Sequence, residues 1–179
     1  MYDTIEKRIE IFKQLMPYVE GGLPIDDLIT KLTDMGFFTA PASTKYHGNY
    51  EGGLFEHSVN VTEALVKLTN AMRLKWSRAE SPYIIGMFHD LCKADQYTGV
   101  GGSWEYRKET LLNGHGDKSI MLLSQFFTLT EEEIVCIRYH MGAFVDREEW
   151  NDYTRAIHRY PNVLWAHTAD MMAAHIKEV

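Results

Sequence analysis

Four histidines and two aspartates hold most of the chemistry available to this chain: His57, His89 with Asp90 directly after it, His115, His140 and Asp170. Each lies on an otherwise apolar helical face or at the turn leading onto one. An unpaired carboxylate taken out of water costs several kcal/mol, and a buried imidazole also needs a partner. A single histidine of this kind is usually satisfied by a core hydrogen bond. Six such groups would need six separate solutions, whereas a shared cation satisfies them together. Imidazole nitrogens and carboxylate oxygens without thiolate suit Mn, Fe, Co, Ni or Zn. Cys92 and Cys136 fall in apolar stretches and read as small buried hydrophobes, with no disulfide framework.

The elements that must position these groups are helical. Ile5, Ile9, Phe12 and Met16 recur at helical spacing until Pro17, and Ile25, Leu28, Ile29, Leu32 and Met35 repeat the pattern between Pro24 and Gly36. Together they predict an N-terminal helical hairpin over residues 1–36, packed on a main domain over 37–179. The stretch from Phe37 to Gly53 has no period and reads as a structured loop leading to a helix from Leu54 to Met72, where His57 shares the face of Val61. Pro82 opens the helix that carries His89-Asp90.

Gly99 to Gly102 breaks the chain, and Ser103 to Thr110 is short and aromatic enough for a small β-hairpin or lid. The loop Asn113 to Gly116 precedes a helical run from Asp117 to Phe127. Thr130 with Glu133 reads as a capping box opening a helix from Glu131 to Met141, with His140 on the face of Ile137. A polar stretch containing Asp146 to Asp152 follows, and a last helix runs from about Pro161 to Lys177, with Asp170 in line with Val163, Ala166 and Ala174. The predicted class is all-α, a single globular unit.

The 179 residues carry a formal net charge of −7 and no Lys/Arg block, which argues against long nucleic acid as a partner and leaves a small phosphorylated substrate open. No apolar run approaches the roughly 18 residues of a membrane span, and the first residues have no basic, then apolar, leader pattern. These features predict a cytoplasmic protein with no membrane partner. The apolar N-terminal hairpin offers a face for a homodimer.

The order His57, His89-Asp90, Asp170 resembles the HD-domain superfamily of helical metal-dependent phosphohydrolases. His89-Asp90-Leu91-Cys92-Lys93 looks like that superfamily's HDxxK form, and Gly52-Gly53-Leu54-Phe55-Glu56-His57-Ser58 looks like its GGLxEHS run. The resemblance covers about Pro41 onward. His115 and His140 are similar to the two extra histidines of members that hold two metals, such as the HD-GYP phosphodiesterases, although the GYP signature is absent and cyclic-di-GMP is thereby disfavoured.

By that resemblance His57, His89, Asp90 and Asp170 would hold one divalent transition metal, and Asp90 would bridge to a second held by His115 and His140. Two ions would lower the pKa of a bridging water and clamp phosphoryl oxygens, so the implied activity is hydrolysis of a small nucleotide or short oligonucleotide by a metal-activated hydroxide. Phosphomonoester cleavage stands slightly ahead of phosphodiester cleavage. The same six-ligand set is similar to that of HD-type di-iron oxygenases, and a non-enzymatic nucleotide-binding HD module is the third reading.

Asp90 would position the nucleophile. Lys93, one turn further, would balance charge on the phosphate, with Lys118 similar in kind. His47 and Tyr50 in the loop before the first ligand helix, and Arg107 with Trp104 in the lid, are further candidates for substrate contact. His167, one turn before Asp170, is the substitute ligand should His115 lie too far away. His158 and His175 read as surface residues.

Overall fold

A computed structural model describes residues 4–45, 48–100, 103–112 and 114–177; His47 lies outside them. The described residues form eight α-helices and one two-stranded sheet, the all-α class with a small hairpin. Helix α1 (Ile5–Leu15) is capped by Thr4, whose hydroxyl accepts the Lys7 N–H at 3.2 Å. Helix α2 (Ile25–Met35) starts after Pro24 and stops where Gly36 turns left-handed. Phe12 of α1 and Leu28 and Leu32 of α2 belong to the same buried core as Phe55, Phe88 and Val163.

Helix α3 (Gly53–Met72) lies against α4 (Ser81–Phe88) and α8 (Asn162–Met172), while α5 (His115–Leu123) packs on α6 (Glu131–Arg138). Helix α7 (Trp150–Arg159) covers α8, which continues as a π-helical turn over Ala173–Lys177. Strands β1 (Tyr97–Val100) and β2 (Ser103–Tyr106) pair antiparallel, with Tyr97 opposite Tyr106 and Gly99 opposite Trp104.

Two polar devices fix the frame. Arg8, on α1, is buried: its guanidinium donates to the Phe38 carbonyl at 2.8 Å and the Glu51 carbonyl at 3.0 Å, clamping the loop that delivers α3. Gly52 sits under that guanidinium with φ +83, so a side chain there would meet both backbone strain and Arg8. The capping box forms as expected, and Glu133 does more than cap. It is fully buried, and beyond Thr130 it takes two 2.8 Å bonds from Arg78 and one from Ser81, joining the starts of α4 and α6. A buried carboxylate satisfied on this scale holds its elements in place; removing one partner would leave an uncompensated charge.

Four sequence expectations need correction. Helix α4 ends at Phe88, so His89 is its C-cap and Asp90 stands in the turn before a 3₁₀ segment, Leu91–Asp95. Helix α5 begins at His115 itself and ends at Leu123, and α6 stops at Arg138, short of Met141. The hairpin starts at Tyr97, so Gly99 and Val100 belong to its first strand, paired with Trp104 and Ser103. The polar stretch after Val145 contains α7, whose inner stripe is narrow: Ala156 is buried, with Tyr153 and Ile157 partly covered, and the other faces are charged.

The helices that carry the histidines meet at glycines. A methyl group on Gly86 of α4 would lie 2.5 Å from Thr62 Cα of α3, and one on Gly116 of α5 would lie 2.6 Å from the Arg138 carbonyl oxygen of α6. Backbone on backbone, these crossings set how near the side chains one turn away can come. Gly86→Ala is expected to cost about 1–3 kcal/mol in urea unfolding, because neither main chain can yield as a side chain would. Wild-type stability in this variant would show that the two helices have room to separate.

Candidate metal centre

His57 projects from the first turns of α3, His89 from the C-cap of α4, Asp90 from the next turn, His115 from the first residue of α5, His140 just after α6, and Asp170 from α8. All six come together, and five are buried, with the His115 side chain 32% exposed. The four imidazoles form a row, with ring centroids 5.3 Å apart for His57 and His89, 4.9 Å for His89 and His140, and 5.2 Å for His140 and His115.

Asp90 is at the middle of the row. Its Oδ2 lies 3.7 Å from His57 Nε2 and 3.5 Å from His89 Nε2; its Oδ1 lies 2.7 Å from His115 Nε2 and 3.5 Å from His140 Nε2. Asp170 Oδ1 faces the first pair, 3.1 Å from His57 Nε2 and 3.8 Å from His89 Nε2. One carboxylate thus turns one oxygen to each of two histidine pairs. The ligand atoms of His57, His89 and Asp90, of His89, His140 and Asp170, and of Asp90, His115 and His140 each lie within 4.8 Å of one another.

Backbone carbonyls orient two of these rings. His89 Nδ1 is 3.0 Å from the Gly86 carbonyl and His140 Nδ1 is 2.7 Å from that of Ile137, so each Nδ1 carries the proton and each Nε2 points a lone pair inward. His140 Nε2 and Asp90 Oδ1 are buried and complete no hydrogen bond among the described residues, although His115 Nε2 comes within 2.7 Å of that oxygen. Imidazole nitrogens converging on two carboxylates, with His140 Nε2 and Asp90 Oδ1 left without a hydrogen bond among the described residues, are a donor set that fits a divalent cation.

The charges already present show what a cation would meet. Burial opposes ionisation of Asp90, but Lys93, whose Nζ is 2.6 Å from Oδ2, together with His115 and His89 holds its carboxyl well below the usual range. Burial pushes His89 down to about 4, so it is neutral near pH 7. Burial works against a proton on His115 as well, yet the Asp90 carboxylate outweighs it and pushes this histidine up to about 10. Asp170 stays ionised despite burial through His57, His89 and His140.

Lys93 therefore stands at the centre, on Asp90. Lys118 is buried and ion-paired with Asp95, a partner 23 positions away that no local spacing singles out. It lines, with His115, Arg107, Gln96, Tyr106 and Thr110, a cleft of about 380 Å³ opening beside His115. Arg107 donates through Nε to the Tyr97 carbonyl at 3.0 Å. Tyr50 is 47% exposed in the turn before α3 and is not among the residues that line this cleft; Trp104, on β2, is partly buried and is not among them either. His167 stays out of the cluster, with its Nδ1 2.8 Å from the His140 carbonyl, while His115 lies inside it. His158 and His175 are exposed.

Sequence reasoning missed two neighbours. Cys92 Sγ is 3.5 Å from His115 Nδ1, a contact that its reading as a plain buried hydrophobe did not include. Ser119 accepts the Cys92 N–H at 3.0 Å and donates to the His115 carbonyl at 3.2 Å, tying the Asp90 turn to α5. Neither has a periodic signature, since both depend on how α5 meets a 3₁₀ turn.

No family model matches the chain, and no solved structure matches it. Over 61 residues it is 36% identical to the dihydroneopterin 2′,3′-cyclic phosphate phosphodiesterase of Methanocaldococcus jannaschii, a stretch covering 32% of this chain and 24% of that protein. The chain therefore spans about a quarter of the length of this curated relative.

A cation held by His115 would have to displace the proton on that ring. Below about 10 that proton leaves on binding, so affinity for Mn²⁺ or Zn²⁺ should rise with pH across the neutral range, by up to about tenfold per unit for a single proton. Calorimetry in two buffers of different ionisation enthalpy would count it. Binding that is indifferent to pH between 6 and 9 would place the ion away from His115.

Proposed function

We propose that this chain is an HD-type metal-dependent phosphohydrolase that cleaves a phosphodiester, a cyclic phosphate foremost, in a small substrate of the nucleotide class. The observation that carries the reading is the single buried carboxylate of Asp90, set between two histidine pairs with an oxygen toward each. In this reading His57, His89, Asp90 and Asp170 hold one divalent ion and Asp90, His115 and His140 a second. The domain over 37–179 supplies the chemistry and residues 1–36 brace it. The order of HD motifs in the sequence supports the family, and the name of the M. jannaschii relative moves the phosphodiester ahead of the phosphomonoester.

When bound, such ions acidify the attacking water and offset charge on the phosphoryl oxygens. The chain's own groups do the rest. Asp90, kept ionised by Lys93, accepts a proton-bearing contact from the water and fixes its line of approach to phosphorus. The P–O ester bond opposite breaks, and the proton given up by the attacking water ends on the leaving oxygen. His89 and His140 are locked by backbone carbonyls and cannot rotate away during the step. The Lys93 ammonium, mostly buried, remains beside the phosphoryl group as its negative charge grows.

With Mn²⁺ supplied, chromatography over nucleoside 2′,3′-cyclic phosphates, mono-, di- and triphosphates and short RNA should show opening of the cyclic phosphates to nucleoside monophosphates without free phosphate. Phosphate release from monophosphates would instead make the enzyme a phosphomonoesterase, and turnover of none of these compounds would remove the hydrolase reading. Lys93→Ala should retain metal by elemental analysis and lose kcat by roughly 10²-fold. An undiminished rate would reduce this lysine to a counter-ion of Asp90.

A further inference from the structure

The cleft beside His115 has an unbalanced charge. Its lining residues include the cations Arg107 and Lys118, the neutral donors Gln96, Tyr106 and Thr110, and no carboxylate. Lys118 is ion-paired with Asp95, which together with Glu109 lines an adjoining cleft that shares Arg107 and Thr110 with this one. Lys93 is likewise neutralised, by Asp90, and Arg138 by Asp117 and Glu149. Arg107 differs: its Nε bonds to the Tyr97 carbonyl and its backbone N–H to the Gln96 carbonyl at 2.9 Å, and its terminal nitrogens have no carboxylate partner among the described residues. The guanidinium is held at its base with its fork free, the arrangement that recognises a planar or tetrahedral oxyanion by two parallel bonds.

We infer that the cleft receives a second anionic group of the substrate, with Arg107 as its receptor. The substrate would then be a phosphate ester that carries, on the part leaving the phosphoryl centre, another phosphate or a carboxylate. This rests on the hydrolase reading above and narrows it. A volume of about 380 Å³ is at the lower end for ligand pockets and holds one mononucleotide-sized group, which disfavours a dinucleotide or polymer. The hairpin β1–β2 acquires a role here: Tyr97 anchors the arginine and Tyr106 walls the cleft, so specificity sits on a projection and leaves the metal-binding core untouched.

Adenosine 2′,3′-cyclic phosphate and its 5′-phosphorylated counterpart carry the same scissile bond and differ by one anion. The wild-type protein should prefer the 5′-phosphorylated compound in kcat/KM by about tenfold or more, mainly through KM, as expected for one charge-assisted bidentate contact. Arg107→Ala should bring that ratio close to unity, and Arg107→Lys should keep part of it. Calorimetry supplies a readout independent of turnover: adenosine 5′-phosphate should bind the wild type at least tenfold more tightly than adenosine does, and Arg107→Ala should erase the difference. A ratio near unity in the wild type, or one that survives in Arg107→Ala, overturns the inference even if both compounds are hydrolysed. If neither is hydrolysed, the hydrolase reading fails and the calorimetric comparison alone decides the anion site.

Discussion

Asp90 is the constraint on which the rest of the molecule depends. A carboxylate almost wholly removed from water is tolerable only if cations or donors reach it, and the fold supplies two: Lys93 from the following turn, on Oδ2, and His115 from the start of α5, on Oδ1. Each half of the molecule exists as a packed helix pair, and the acid lies where the pairs meet. Apolar burial makes the two pairs stable. The unsolved electrostatics of one residue makes their mutual placement specific.

The hydrophobic core supports this arrangement directly. Phe12, Phe37, Phe38, Phe55 and Phe88 form a continuous aromatic cluster, with Phe37 to Phe88 at 5.9 Å and Phe38 to Phe55 at 5.4 Å, and Phe88 immediately precedes His89. Such aromatic pairs add to the stabilisation from area burial alone, so the turn that carries His89-Asp90 is backed by well-packed rings. Arg8 serves the same end from the other direction, fixing the loop before His57. The active geometry is therefore built on elements that have little freedom to relax.

Much of this was legible in the sequence because its signals are local. The period of α1 and α2, the Pro24 and Gly36 boundaries, the Thr130–Glu133 capping box and the inward faces of His57, His140 and Asp170 all follow from spacing within one or two turns. That the six ligand residues converge was inferable from the shared improbability of burying them separately. What was not legible is tertiary. Helix α7 is the exception, since Trp150, Tyr153, Ala156, Ile157 and Tyr160 keep a helical period behind the acidic stretch that precedes them, whereas the pairing of Lys118 with Asp95 or of Cys92 with His115 depends on the angle between α5 and a 3₁₀ turn. The end of α4 at Phe88 likewise reflects the demand that His89 bond back to Gly86, which no propensity scale contains.

The positions of the six clustered histidines and aspartates along the chain have a consequence for how the molecule comes to be. His57 and Asp170 touch across more than a hundred residues, so their contact closes one of the largest loops in the fold, and the two halves of the site cannot be completed by any local structure. A growing or partly folded chain can present the α3–α4 histidines as soon as those helices cross, yet it lacks the acid that completes them until α8 docks. The centre is then a late event of assembly and a report on its success: whatever binds there binds only chains whose far segments have already found each other, and by mass action draws the population toward them.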